Sequence, residues 1–111
     1  MDQGLSTEVA QVDGATVIYV RGAIDMATCE RLRDAIAPHL GPRQSIVLDL
    51  SGVQFTDSSL LHVLEQARST LTADGGSLIL RNPSQAARLL LTASRMTELL
   101  QEDAAQHARD D

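Results

Sequence analysis

The sequence predicts a single α/β domain in which helices pack on an open mixed sheet of about four to five short strands. Three observations predict it. Segments with strand character alternate with segments of helical spacing in the order β-β-α-β-α-β-α. The first two candidate helices each lie between strands, which must then pair in parallel through right-handed crossovers. The length of 111 residues suits one core, with folding burying roughly two-thirds of the surface that the unfolded chain exposes.

The elements follow in order. Glu8 to Asp13 alternate apolar and polar residues, and Asp13-Gly14 is a two-residue hairpin signal leading into Thr16-Val17-Ile18-Tyr19-Val20. Two antiparallel strands are expected there. After Gly22, Ala23-Ile24-Asp25 gives way to helical spacing. Cys29, Leu32, Ile36 and Leu40 share one face, Asp25 or Thr28 is available as a cap, and the helix runs to about Pro38. Gly41-Pro42 breaks it, and Ser45-Ile46-Val47-Leu48-Asp49-Leu50 follows as a short apolar run of the kind covered on both faces, the expected central strand.

From Asp57 onward Leu60, Leu61, Leu64, Ala67, Arg68 and Leu71 keep helical spacing, with Arg68 on the rim, until Asp74-Gly75-Gly76 stops the helix. Ser77 to Arg81 is another strand, and Pro83-Ser84 opens a third helix carrying Ala87, Leu90, Leu91 and Ser94. Met96 to Gln101 suits one more helical turn or a short strand. The domain is therefore expected over residues 5–101, with a polar, frayed tail over 102–111.

Composition narrows the function. Apolar residues make up 43% but aromatic ones only 2%, so the core must be aliphatic. The formal charge is −6, and the nine cations are all arginines scattered along the chain. Phosphate backbones require clustered positive charge, which argues against a nucleic-acid surface. Cys29 is the single cysteine, so neither an internal disulfide nor a thiolate metal cluster is expected; a reducing cytoplasm fits. Cys29 itself is expected as a buried, inert thiol on the apolar face of the first helix. Met1-Asp2-Gln3-Gly4 lacks a basic-then-apolar leader, and no run approaches the ~18 apolar residues of a membrane span.

Catalytic signatures are missing. There is no G-x-S-x-G, Walker loop or Gly-rich dinucleotide turn, and Ser59 has no His–carboxylate partner pattern. His39, His62 and His107 are far apart without an i, i+4 partner, which disfavours a metal site. A binding protein without cofactor is expected rather than an enzyme.

The most informative stretch runs from Asp49 to Leu64 and joins the central strand to the second helix. Loops at the carboxyl ends of parallel strands collect binding groups. Asp57 or Ser58 can cap the helix, and Ser59 then lies in its first turn, its hydroxyl expected to be presented to solvent, where free N–H groups and the helix dipole favour added negative charge. Thr56 fills a strand-end position. On spacing alone, Asp57-Ser58-Ser59 reads first as an ordinary cap.

Asp49-Leu50-Ser51-Gly52-Val53, then Phe55, then Asp57-Ser58-Ser59 resembles the STAS domain of bacterial anti-sigma factor antagonists. Gly22-Ala23-Ile24-Asp25 with Ala27-Thr28 is similar to the same family's motif between second strand and first helix, so the likeness spans about Val9 to Leu91. It implies a partner switch. The second serine, Ser59, is the residue that an anti-sigma factor with serine kinase activity would phosphorylate, with Asp25, Thr56, Asp57, Ser58 and Leu60 contributing to partner binding. A phosphatase is the further partner that would reverse it. Leu60 differs from many members, which carry glycine there. As an alternative, second to that reading, the resemblance admits a STAS accessory subunit docking on an ABC-transporter ATPase, without phosphorylation.

Overall fold

The computed structural model describes residues 4–96 and residue 99. The expected tail over 102–111, and most of the stretch from Met96 to Gln101, lie outside the described residues. Strands β1 (Leu5–Val12) and β2 (Ala15–Ile24) form a hairpin. Its turn has positive φ at both Asp13 (51°) and Gly14 (84°), the conformation that a two-residue turn needs to match strand twist. Helix α1 (Cys29–Ile36) follows and tightens into a 3-10 turn, Ala37–His39, around Pro38. Strand β3 (Ser45–Thr56), helix α2 (Ser59–Ala73), strand β4 (Ser77–Arg81) and helix α3 (Gln85–Ala93) complete the order.

The sheet has four strands in the order β1-β2-β3-β4. The β1–β2 pair is antiparallel, whereas β2–β3 and β3–β4 are parallel. Two right-handed crossovers stepping the same way along a sheet place their helices on one face, and α1 and α2 touch each other. Ile18, Leu48 and Leu80 stand side by side across three strands and are fully buried. They share one core with Leu32 and Ile36 of α1 and with Leu60, Leu64 and Leu71 of α2. Helix α3 packs on β3, begins with the Ser84 hydroxyl accepting from the Ala87 amide at 3.2 Å, and buries Ala87 and Leu91. The Ser84 amide donates to the Leu50 carbonyl at 3.1 Å, which holds the start of that helix against β3.

One expectation is corrected. The central strand does not end at Leu50 but continues to Thr56, so Ser51 to Thr56 are strand rather than connecting loop. The register with β2 slips twice on the way, from Tyr19↔Asp49 to Arg21↔Gly52 and from Gly22↔Val53 to Ala23↔Phe55. Each slip gives β3 one residue more than its partner, the signature of a β-bulge. After both, Ile24 pairs with Thr56 and the two strands end level.

Candidate functional site

The site lies where β2 and β3 end side by side. In the β2–α1 loop, the Asp25 carboxylate accepts from the Ala27 amide (2.9 Å), the Thr28 amide (3.1 Å) and the Thr28 hydroxyl (3.1 Å). The same Thr28 hydroxyl lies 2.8 Å from the Ala23 carbonyl, to which it also donates, and it accepts from the Asp25 amide at 3.0 Å. The expectation that Asp25 or Thr28 caps the helix is corrected: Thr28 holds the N-cap position of α1 without a side-chain capping bond, and the Asp25 carboxylate bonds within the loop ahead of the helix.

In the β3–α2 loop, the Asp57 carboxylate accepts from the Ser59 amide at 2.9 Å and from the Ser59 hydroxyl. Ser58 holds the N-cap position but makes no capping bond with its side chain. Asp57, one residue earlier, satisfies the first amide of the helix instead. The two Ser59 hydrogen bonds hold the Asp57 carboxyl below the usual carboxylate range. The Asp57 amide donates to the Ile24 carbonyl at 3.2 Å and ties this loop to its neighbour.

The serines divide in a way the sequence does not announce. Ser58 is exposed, whereas Ser59, expected in the open at the helix start, is only 6% exposed. Its hydroxyl is turned toward Asp57 but still borders a surface depression of about 380 Å³. Met26 and Cys29 line that depression from the β2–α1 side, and Asp57, Ser58, Ser59 and His62 line it from the α2 side. Thr56 is half-buried at the strand end. Leu60 is fully buried in the core, so its side chain supports the loop from beneath rather than meeting solvent. Cys29 is half-buried and faces the depression, which corrects the expectation of a buried thiol.

Met26, 84% exposed in the β2–α1 loop, is not marked by the sequence, and Phe55, which belongs to the motif of the resemblance, is 53% exposed near the end of β3. Sequence reasoning also passed over His62. The signal was available for His62, which stands three residues after Ser59 and therefore on the same helix face.

Deeper in β3, Asp49 is buried and accepts from the Ser51 amide (3.0 Å), the Ser51 hydroxyl (2.7 Å) and the Asn82 side-chain amide (3.1 Å). Arg81 Nε lies 3.5 Å from its carboxylate, an ion pair without a hydrogen bond from that nitrogen. Burial pushes the Asp49 carboxyl upward, but the bonds from Ser51 and Asn82 and the charge of Arg81 outweigh it and hold the group below its ordinary value. Asp49 thus anchors the first bulge and, through it, the reach of β3 toward the site.

Fold and site together define a class: a single mixed-sheet α/β domain that sets a serine pair at the start of a helix, beside the loop of the neighbouring parallel strand. Within that class the chain belongs to the STAS domain family, whose model matches residues 6–107. The structure is similar to that of an anti-sigma factor antagonist from Mycobacterium paratuberculosis, with 28% identity, a TM-score of 0.75, and coverage of 95% of this chain and 94% of that one. Unphosphorylated SpoIIAA, also an anti-sigma factor antagonist, superposes with a TM-score of 0.75 at 24% identity, covering 96% and 98% of the two chains. The phosphorylated form of the Bacillus cell fate determinant SpoIIAA gives 0.69 at 24% identity over 93% and 99%. A search of curated proteins finds no match. Among the described residues no helix is long and apolar enough to cross a membrane.

Proposed function

We propose that this domain is an anti-sigma factor antagonist: it binds an anti-sigma factor, frees the sigma factor that the latter holds, and is switched off by phosphorylation at Ser59. The observation that carries the reading is the Ser59 hydroxyl, hydrogen-bonded to Asp57 at the first turn of α2 and bordering a depression shared with the loop of Asp25. The likeness over nearly the full length to the mycobacterial antagonist supports it. So does the existence of SpoIIAA, a protein of the same fold, in phosphorylated and unphosphorylated forms.

The docking surface is formed by Asp25, Thr56, Asp57 and Ser58 around Ser59, with Leu60 buttressing it. The anti-sigma factor is the kinase and supplies Mg-ATP. The bond from the γ-phosphorus to the β,γ-bridging oxygen breaks as a bond to Ser59 Oγ forms, ADP departs, and the hydroxyl proton passes to its present acceptor, the Asp57 carboxylate. The product carries about −1.5 to −2 charge. A helix N-terminus tolerates that charge, but in a docked interface like-charge juxtaposition costs several kcal/mol, and Asp57 and Asp25 already make the surface anionic. The pair separates. A phosphatase restores the binding form, and the exchange takes place in the cytoplasm.

Incubation with a candidate partner kinase and Mg-ATP, followed by mapping of phosphate by mass spectrometry, tests the assignment. Stoichiometric label at Ser59 that disappears in Ser59→Ala is expected; label confined to Ser58 overturns the choice of residue. Ser59→Asp should bind the anti-sigma factor at least about tenfold more weakly, ~1.4 kcal/mol. Equal affinity would show the charge mechanism to be wrong.

A further inference from the structure

The depression beside Ser59 has one more wall. Arg33 of α1 lines it opposite His62 of α2, and these are the two side chains around it able to carry positive charge. Arg33 is already held in position: its Nη1 donates to Glu30 at 2.8 Å and its Nε donates to the Gln66 side chain at 3.0 Å. The Arg33 and Glu30 side chains are 37% and 69% exposed, so the guanidinium can exchange partners in solvent without leaving a buried charge behind.

Ser59 is 6% exposed, and the depression of about 380 Å³ that it lines is open and larger than a phosphoryl group. In the position that the hydroxyl now holds, a phosphate would face a like charge, since the Asp57 carboxylate that accepts the hydroxyl would repel it. Asp57 lines the depression too, so within it Arg33 and His62 are the groups that attract the phosphate.

We propose that the depression between α1 and α2 is a built-in phosphate pocket: once Ser59 is phosphorylated, its phosphate takes the space beside Arg33 and His62, and Arg33 exchanges Glu30 for the phosphate. The inference rests on Ser59 being the modified residue. It adds that the domain itself holds its phosphate, in an intramolecular clamp linking α1 to α2.

The test installs phosphoserine at position 59 during synthesis, so no partner kinase or partner binding enters the result. The phosphate is titrated by phosphorus NMR in the whole chain, folded and in urea. In the folded chain its second ionisation should fall by about half a pH unit relative to the urea-unfolded chain, the size that exposed charge pairs supply. Arg33→Gln and His62→Gln should each return part of that shift, and the double variant nearly all of it. Both positions are on the surface, and circular dichroism of the variants confirms that they fold. A folded-chain midpoint equal to the unfolded one, or one that the double variant leaves in place, overturns the proposal.

Discussion

The amide of Asp57 donates to the carbonyl of Ile24 at 3.2 Å, so the residue that receives the Ser59 hydroxyl is fastened to the end of the neighbouring strand. Through this bond the Asp25 loop and the start of α2 form one unit. Thr28 holds the other side of that unit, linking Ala23 to Asp25. Replacing it with alanine removes all three hydroxyl contacts and is expected to destabilise the domain by about 1–2 kcal/mol, measured by urea unfolding. Hydrogen exchange at the Ser59 amide should quicken in the same variant, although Thr28 does not touch Ser59.

The two serines should behave differently when truncated. Ser59→Ala loses a hydrogen bond to a carboxylate in a nearly closed position and should lower stability by about 1 kcal/mol. Ser58 makes no capping bond and is exposed, so Ser58→Ala should stay within about 0.5 kcal/mol of the parent. Equal losses in thermal denaturation would contradict the arrangement described for Asp57.

Asp49 predicts a larger effect. Its removal in Asp49→Ala frees the Ser51 and Asn82 donors and leaves Arg81 Nε buried without its counter-charge. A loss of about 2–3 kcal/mol is expected in chemical denaturation.

Acid dependence follows from the same group. Its carboxyl lies lower in the folded chain than the ordinary value of about 3.9. The unfolded chain therefore binds the proton more readily, and the stabilisation from Asp49 is fully present above that ordinary value and lost as pH falls through the lower folded one. Asp57 acts with the same sign. Stability measured between pH 6 and pH 3, about two units above to one below the ordinary carboxylate value, should fall less steeply in Asp49→Asn than in the parent.

Gly22 has φ of +100°, and a Cβ there would run into the Gly4 carbonyl oxygen. Gly22→Ala is expected to cost about 1–3 kcal/mol from the backbone conformation alone. Because Gly22 adjoins the second bulge, the variant should also broaden the NMR signals of Phe55 and Thr56, across from Ala23 and Ile24.

Much of this architecture is legible in the residues. Asp13-Gly14 specifies a turn in which both positions need positive φ, and Asp74-Gly75-Gly76 and Pro83-Ser84 punctuate helices at the places observed. The length of β3 is not legible, because its bulges break the period of two. Leu50 and Val53 are buried three residues apart while Gln54 and Phe55 are both exposed, so the alternation that marks a strand is erased. The placement of Ser59 was hidden for a different reason. Spacing located it in the first turn of a helix, but only the geometry of Asp57, bonding to it from one residue before the N-cap, draws its hydroxyl inward. The nearness of the Asp25 loop to the start of α2 is not legible in the spacing, because its physical cause is the pairing of Ile24 with Thr56 across two strands.

Phe55, exposed near the end of β3 in a chain with no tryptophan and one tyrosine, has an optical consequence. The domain contributes almost no long-wavelength ultraviolet emission of its own. In a mixture that emission therefore comes from whatever it meets, and a Phe55→Trp reporter would light a single spot at the end of β3 against a dark background.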